Sequence, residues 1–488
     1  MMIQDISKQK SKLKQIQKTI GLVLAILFIA LPALAAQPKY VFYFIGDGLG
    51  ASQRQFSEFF LQEETQTPSR KLLMNTFETV GLNTTYAADT LITDSAAAGT
   101  ALASGVKTNK GVIGKDTSGK NVKTLIEAAV DRGIATGIIT TTRLTHATPA
   151  VFVAHNISRN NENAIAEDFV TSRVDFLAGG GIRHFIPQNM VEKNGDAVGM
   201  TIKSKRKDDK NLVQEFEKQG YQTFIGMKGA KRFNQTDFSA VDKVFAAFTY
   251  THLPYEIERA NHYKEVPSLA VMTRAGINVL SKDPDGFFLM VEGGRIDHAA
   301  HANDPTGVIH DVLAFDDAIR EAWNFYQKHK EETLILVVGD HETGGMGLGM
   351  DAMGYKLDLS TLMATKVSVE DTLAYGAGQY KKDRTAYLNF LENEFGLTNL
   401  NENETAQLNK AMDYADAGGT AGYYKINPAA LTAAHLLSQR ANINWTTTIH
   451  TATMIPLSAT GMGAEKFSGF KDNTQIAQSM ATLLGFNL

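Results

Sequence analysis

The stretch YVFYFIGDG, residues 40–48, sets six consecutive aromatic or β-branched residues ahead of a Gly-Asp-Gly turn. A continuous apolar run of this length, closed by turn residues, predicts a strand buried on both faces of a sheet. Residues 134–140, 287–291 and 334–338 are similar runs. Polar residues follow each: His146 and Thr148 after the first, Glu292 after the second, Asp340 and His341 after the third. Between the runs the chain becomes helical in period, most clearly over 303–326. There Pro305 suits a first turn, and Val308, Ile309, Val312, Phe315, Ile319, Trp323 and Tyr326 recur along one face. That stripe predicts a core contact, and His310 within it reads as a structural histidine. Strands alternating with helices predict an α/β fold, a three-layer α/β/α sandwich around a mainly parallel central sheet. In such sheets ligands gather beyond the carboxyl ends of the strands, so the scattered polar residues are expected to form one rim.

LITDSAAAGTALASG, residues 91–105, places Ser95 where an extended approach gives way to a small-residue helix, with Asp94 just ahead as the expected cap. Unpaired N–H groups and the positive dipole end of that helix favour a phosphate dianion, which makes Ser95 a candidate nucleophile. Asp297 and His301 are four residues apart, so a helical turn puts carboxylate and imidazole on one face. With His450 they form a nitrogen and oxygen set suited to a catalytic zinc with an open position. Asp340 and His341, joined by Asp47, form a second such set. Asp47, Glu292 and Thr148 offer only oxygen, which suits magnesium. His298 points elsewhere on a helix and reads as a surface or supporting histidine as readily as a ligand. Gly-Asp-Gly and Gly-Asp-His are each common turn chemistry. Their coincidence at separate strand ends is what points to a metal site.

Of the 488 residues, 43% are apolar and 20% charged, enough for a sizeable core. Lys8, Lys10, Lys12, Lys14 and Lys18 precede an apolar run over 20–34 that closes on Ala33-Leu34-Ala35, the pattern of a secretory signal peptide, residues 1–35. A membrane anchor is the other reading, but the run contains Pro32 and falls short of a comfortable span. Cleavage takes five lysines and one aspartate from a chain of net charge −4, leaving −8. The expected protein is exported, periplasmic or extracellular, with no stable membrane anchor after cleavage. Its acidity argues against a nucleic-acid partner and against steering of anions from a distance. There is no cysteine, so metals must be held by histidine, carboxylate and hydroxyl groups. Residues 36–488 then read as one catalytic domain with insertions at about 183–265 and 346–440. Within the first, KSKRKDDK (203–210) reads as a solvated loop and AGGGIRHF (178–185), at its edge, as a turn.

FIGDG (44–48), the Ser95 segment, THATPA (145–150), VEGGRIDHAAH (291–301), VVGDHETGG (337–345) and His450 together resemble the alkaline phosphatase family, from about Lys39 to the C-terminus. DFLAGGGIRHFIP, from Asp175, resembles a non-catalytic stretch of the same family. The resemblance implies a metal-dependent hydrolase of small-molecule phosphate monoesters, broad in substrate range, with an alkaline optimum, two Zn2+, one Mg2+ and a homodimeric state. It implies that Ser95 is phosphorylated during turnover and that Asp47, Asp340 and His341 hold the zinc that activates it. Asp297, His301 and His450 hold the other zinc, which stabilises the leaving oxygen and later activates water. Asp47, Glu292 and Thr148 hold magnesium. Arg159, which only the resemblance singles out, clamps the transferring phosphoryl group. The best-known bacterial pattern has aspartate in place of His146 and lysine in place of His298. Histidine at both is similar to the animal enzymes and to some bacterial ones, and leaves magnesium affinity and pH optimum open.

Three other functions compete. A sulfatase or phosphodiesterase relative would share the scaffold, and a non-catalytic zinc or phosphate-binding protein would share the ligands. A serine hydrolase would need a G-x-S-x-G elbow, whereas Ser95 sits in D-S-A.

Overall fold

The computed structural model describes residues 9–18, 37–351, 354–374 and 383–488. The chain divides into two units, Met1–Gln37 and Pro38–Leu488. In the first, residues 9–18 form an exposed helix, and the apolar run and cleavage point expected at 20–35 lie outside the described residues. Among the described residues no helix is long and apolar enough to cross a membrane.

The second unit is built on a ten-stranded sheet. Its strands are β1 (Tyr40–Gly46), β2 (Thr79–Asn83), β3 (Ala135–Arg143), β4 (Phe176–Gly180), β5 (Gln222–Ile225), β6 (Val244–Ala247), β7 (Phe287–Gly293), β8 (Thr333–Gly339), β9 (Ile455–Gly461) and β10 (Gly469–Lys471). Their order across the sheet is β10-β2-β9-β8-β1-β7-β3-β4-β6-β5. From β8 to β5 all neighbours are parallel, and β9 is antiparallel to both of its own. The four runs expected to be strands are β8, β1, β7 and β3, side by side at the centre. Alternate side chains enter two cores: Phe42, Phe44, Leu289 and Val337 on one face, Tyr43, Ile45, Met290 and Leu336 on the other. A strand whose two faces are both apolar must be covered on both, and here helices cover each.

Those layers are α1 (Ala51–Glu64), α2 (Ser95–Ser104), α3 (Leu125–Asp131), α4 (Leu269–Leu280), α5 (Pro305–Tyr326) and α6 (Asn473–Leu484). Helices α1, α4 and α5 cover the first face, and α2, α3 and α6 the second. In α5, Asp304 caps the amides of Thr306 and Gly307 and Pro305 fills the first turn. Its Val308, Ile309, Val312, Phe315 and Ile319 are fully buried. His310 packs edge-on against Phe60, and burial lowers its imidazole to about 4.

Within the two stretches read as insertions the structure adds, in the first, strands to the sheet and, in the second, the short helices expected there. Residues 183–265 supply β5 and β6, which widen the sheet at its edge. Four-residue strands are too short to show a period. The charge run 203–210 is not wholly solvated, because Arg206 is buried, donates to the carbonyls of Asn163 and His184, and pairs with Glu167 and Asp208. Ala178–Gly180 close β4, so the turn begins only at Gly181. In 346–440, the helices Arg384–Glu394, Glu402–Asp416 and Pro428–Arg440 send Leu391, Leu408 and Leu437 into the first core.

Candidate active site

The rim forms because the central strands end level. Gly46 of β1 is in register with Gly339 of β8 and Gly293 of β7. Asp47 and Asp340, one residue beyond, and Glu292, one before, therefore come to a common height. The turn after β1 requires Gly48, whose φ is +71° and whose added Cβ would meet Asp297 Cα at 2.8 Å. Its N–H donates to Asp340 Oδ1 at 3.1 Å. Gly48→Ala is expected to cost about 2 kcal/mol and to push Asp297 out of place, measured as a lower Tm and weaker divalent-metal binding.

Three sets of ligand atoms gather here, each within 4.8 Å: Asp297, His301 and His450; Asp47, Asp340 and His341; and Asp47, His146 and Glu292. In the first, Asp297 and His301 share the helix Arg295–His301, with Asp297 Oδ2 at 3.3 Å from His301 Nε2. His450 is delivered by a two-residue ladder that pairs it with Thr343, and its Nε2 lies 3.5 Å from Asp297 Oδ1. His301 Nδ1 donates to Thr448 O at 2.6 Å and His450 Nδ1 to Thr93 O at 2.8 Å. That assignment turns both Nε2 lone pairs toward each other, 3.1 Å apart. In the second set, His341 Nε2 stands 3.4 Å from Asp47 Oδ1 and 3.3 Å from Asp340 Oδ2.

In the third set, Thr148 Oγ1 donates to Asp47 Oδ2 at 3.2 Å and Thr142 Oγ1 to Glu292 Oε2 at 3.1 Å, an oxygen that Thr140 also serves. His146 Nδ1 lies 4.0 Å from Asp47 Oδ2. Because Arg159 Nη2 donates to its Nε2 at 3.1 Å, the ring proton falls on Nδ1. His146 then turns an N–H and not a lone pair toward this set, too far from Asp47 for a hydrogen bond.

The sets fit cations. Asp47 Oδ1, Asp340 Oδ2 and Glu292 Oε1 are buried without a hydrogen-bond partner among the described residues. Facing lone pairs and orphaned carboxylate oxygens are costly unless positive charge joins them. Burial, with the charges of neighbouring carboxylates, pushes Asp47 and Asp340 well above the ordinary range, and burial raises Glu292 to about 7. Burial also lowers His341 well below its ordinary value and His450 to about 4, leaving neutral imidazoles able to ligate.

Ser95 opens α2, and the Asp94 side chain caps it by accepting from the Ala97 amide. Ser95 Oγ lies 3.2 Å from His341 Nε2, and Arg159 Nη1 donates to Asp94 Oδ2 at 3.0 Å. A cavity of about 720 Å³ joins Ser95, Arg159, Asp297, His301 and His450. The Ser95 and His341 pair is not part of a Ser-His-Asp triad. His341 Nδ1 faces Thr343 Oγ1 at 3.2 Å instead of a carboxylate, and the nitrogen facing Ser95 is the one facing Asp47 and Asp340.

Several contributors escaped the sequence reading. Buried Arg295 donates to His298 Nδ1 at 2.7 Å and to Asp371 at 2.8 Å, which holds His298 against His252 and outside the three sets. Arg143 binds His252. Tyr423 and Tyr424 line the cavity. The triplet Thr140-Thr141-Thr142 at a predicted strand end was the one available cue, since hydroxyls cluster there where apolar residues are expected.

The family model described as alkaline phosphatase matches residues 38–486. Alkaline phosphatase 3 of Bacillus subtilis is 32% identical over 460 residues, spanning 92% of this chain and 90% of its own length. The repressible alkaline phosphatase of Saccharomyces cerevisiae is 31% identical over 523 residues, spanning 99% and 89%. Among solved structures, the alkaline phosphatase of Thermus thermophilus superimposes with a TM-score of 0.77 at 29% identity, covering 94% of this chain and 93% of its own. The cold-active enzyme of a Shewanella species gives 0.75 at 28%, covering 91% and 99%.

Proposed function

Because the chain belongs to the alkaline phosphatase family, we propose that it hydrolyses phosphate monoesters to an alcohol and inorganic phosphate through a phosphoserine at Ser95, with a broad substrate range and an alkaline optimum. The observation that carries this reading is that Ser95 and Arg159 share a cavity with the Asp297, His301 and His450 set, while Ser95 Oγ lies 3.2 Å from His341 of the second set, which shares Asp47 with the third. Asp47, Asp340 and His341 are assigned one Zn2+, Asp297, His301 and His450 the other, and Asp47, Glu292 and Thr148 the Mg2+. When bound, these cations supply the charge that favours deprotonation of a serine hydroxyl and of water and offsets charge on the leaving oxygen.

The chain's own groups do the rest. The amides at the start of α2 and the Arg159 guanidinium receive the nonbridging phosphate oxygens. Ser95 Oγ attacks phosphorus in line, the P–O ester bond breaks and the alcohol leaves with a proton. Water then attacks the phosphoserine from the opposite side, and Ser95 regains its proton. Two inversions give net retention at phosphorus. His146 and Asp94 position Arg159, and Arg295 positions His298. The enzyme is assigned one catalytic domain over 36–488, an exported location and a homodimeric state.

Arg159→Ala is expected to lower kcat/KM about 10²-fold and to weaken inhibition by inorganic phosphate. Arg159→Lys should fall between, since a point charge cannot form the fork. Turnover of a chromogenic monoester, a diester and a sulfate ester by the metal-loaded protein tests the reaction itself. Monoester turnover far above the others supports it. Diester or sulfate turnover at the monoester level makes the protein a relative on the same scaffold, and inertness with occupied metal sets makes it a binding protein.

A further inference from the structure

The turn at 421–426 carries two tyrosines that phosphoryl transfer leaves without a task. Ala421 and Ile426 form an isolated antiparallel bridge with both hydrogen bonds at 2.9 Å. Gly422 and Lys425 adopt positive φ, +69° and +53°. The tight turn so formed pins Tyr423 and Tyr424 against the Asp297, His301 and His450 set. Tyr424 wedges between His298 and His301, with ring centroids at 5.6 and 5.0 Å. Tyr423 lies flat on His301, 4.3 Å between centroids and 14° between planes, yet is 56% exposed. One face of its ring is covered by imidazole. The other is open at the cavity shared with Ser95 and Arg159.

We propose that Tyr423 is a stacking platform for the leaving group, which biases the site toward monoesters whose ester oxygen is attached directly to a flat aromatic ring. The proposal rests on the monoesterase reading. His301 belongs to the set assigned to the leaving oxygen, so a ring one bond from that oxygen arrives beside the ring stacked on His301. An aryl group gains an offset stacking contact there. A polyol meets the same apolar face and gains little. The platform is already ordered by its turn and by Tyr424, so stacking costs it little further freedom.

The test compares kcat/KM for phenyl phosphate and glycerol 2-phosphate in wild type, Tyr423→Phe and Tyr423→Ala. Metal content and inhibition by inorganic phosphate are measured on the same preparations. Ratios of variant to wild type for each substrate cancel the esters' different intrinsic reactivity. Tyr423→Ala should lose about five- to tenfold on phenyl phosphate and less than about twofold on glycerol 2-phosphate. Tyr423→Phe should retain the wild-type ratio. Inhibition by inorganic phosphate, which has no leaving group, should not move. Equal losses on both esters, or altered metal content, would mean that Tyr423 acts only by supporting His301, and unchanged kinetics would mean that substrate never meets the ring; either overturns the platform. Wild type inert on both esters would overturn the monoesterase reading itself.

Discussion

Ser95→Ala is expected to reduce monoester turnover by about 10³-fold or more while leaving fold and metal content intact. The hydroxyl makes one side-chain contact, to His341 Nε2 at 3.2 Å, and alanine continues a helix already rich in alanine. Little stability is therefore at stake, and Tm should stay within about 2 °C. The chemistry loses its acceptor. Rapid acid quench of wild type with labelled substrate should trap phosphate on the protein at Ser95, and the variant should carry none. A variant that keeps a tenth of wild-type turnover, or wild type that never carries label, would rule out the covalent route. The residual rate in the variant reports what Arg159, the α2 amides and the cation sets achieve with water alone.

Removing metal is expected to abolish turnover and to make stability depend on pH in a particular direction. Asp47, Asp340 and Glu292 have carboxyl groups raised above their unfolded values, first by burial and then by the charges of neighbouring carboxylates, Asp297 among them in each case. Without cations, the folded state holds protons that the unfolded chain has already released. That contribution is fully present below the ordinary carboxyl range and is lost as pH rises through the folded values, about 7 for Glu292. With cations bound the same groups are ionised and paired, so this slope disappears. The gap in Tm between metal-loaded and chelated protein should thus widen from pH 5 to pH 8, by on the order of 5 °C. Readdition of Zn2+ and Mg2+ together should restore both Tm and activity. A chelated protein equally stable at both pH values would show that these carboxylates are not crowded as the structure places them.

Local patterns carried much of this into the sequence. Strands β1, β3, β7 and β8 were legible because a strand buried on both faces must be apolar throughout, and α5 because its buried stripe keeps helical period behind a proline and an aspartate cap. Asp297 with His301, and Asp340 with His341, were legible because each pair lies within one turn of chain. Strands β5 and β6 were not, since four residues at a sheet edge leave no period. Arg206 was hidden in a charge run because burial of an arginine depends on carbonyls and carboxylates contributed from elsewhere. Arg159 has no local signature and was reached only through resemblance.

The sequence by itself determined the layered α/β class, the exclusion of thiolate chemistry and the identity of the polar groups that close each strand. Only the tertiary structure decided how those groups combine. The order β8-β1-β7-β3 sets Asp340, Asp47, Glu292 and the Thr148 segment side by side, and the pairing of Thr343 with His450 carries a histidine from the far end of the chain to Asp297. The 421–426 turn lays Tyr423 on His301. Strand order and register depend on which long-range pairings best bury the whole sheet. No window of residues contains that information, because its energy is shared across elements hundreds of positions apart.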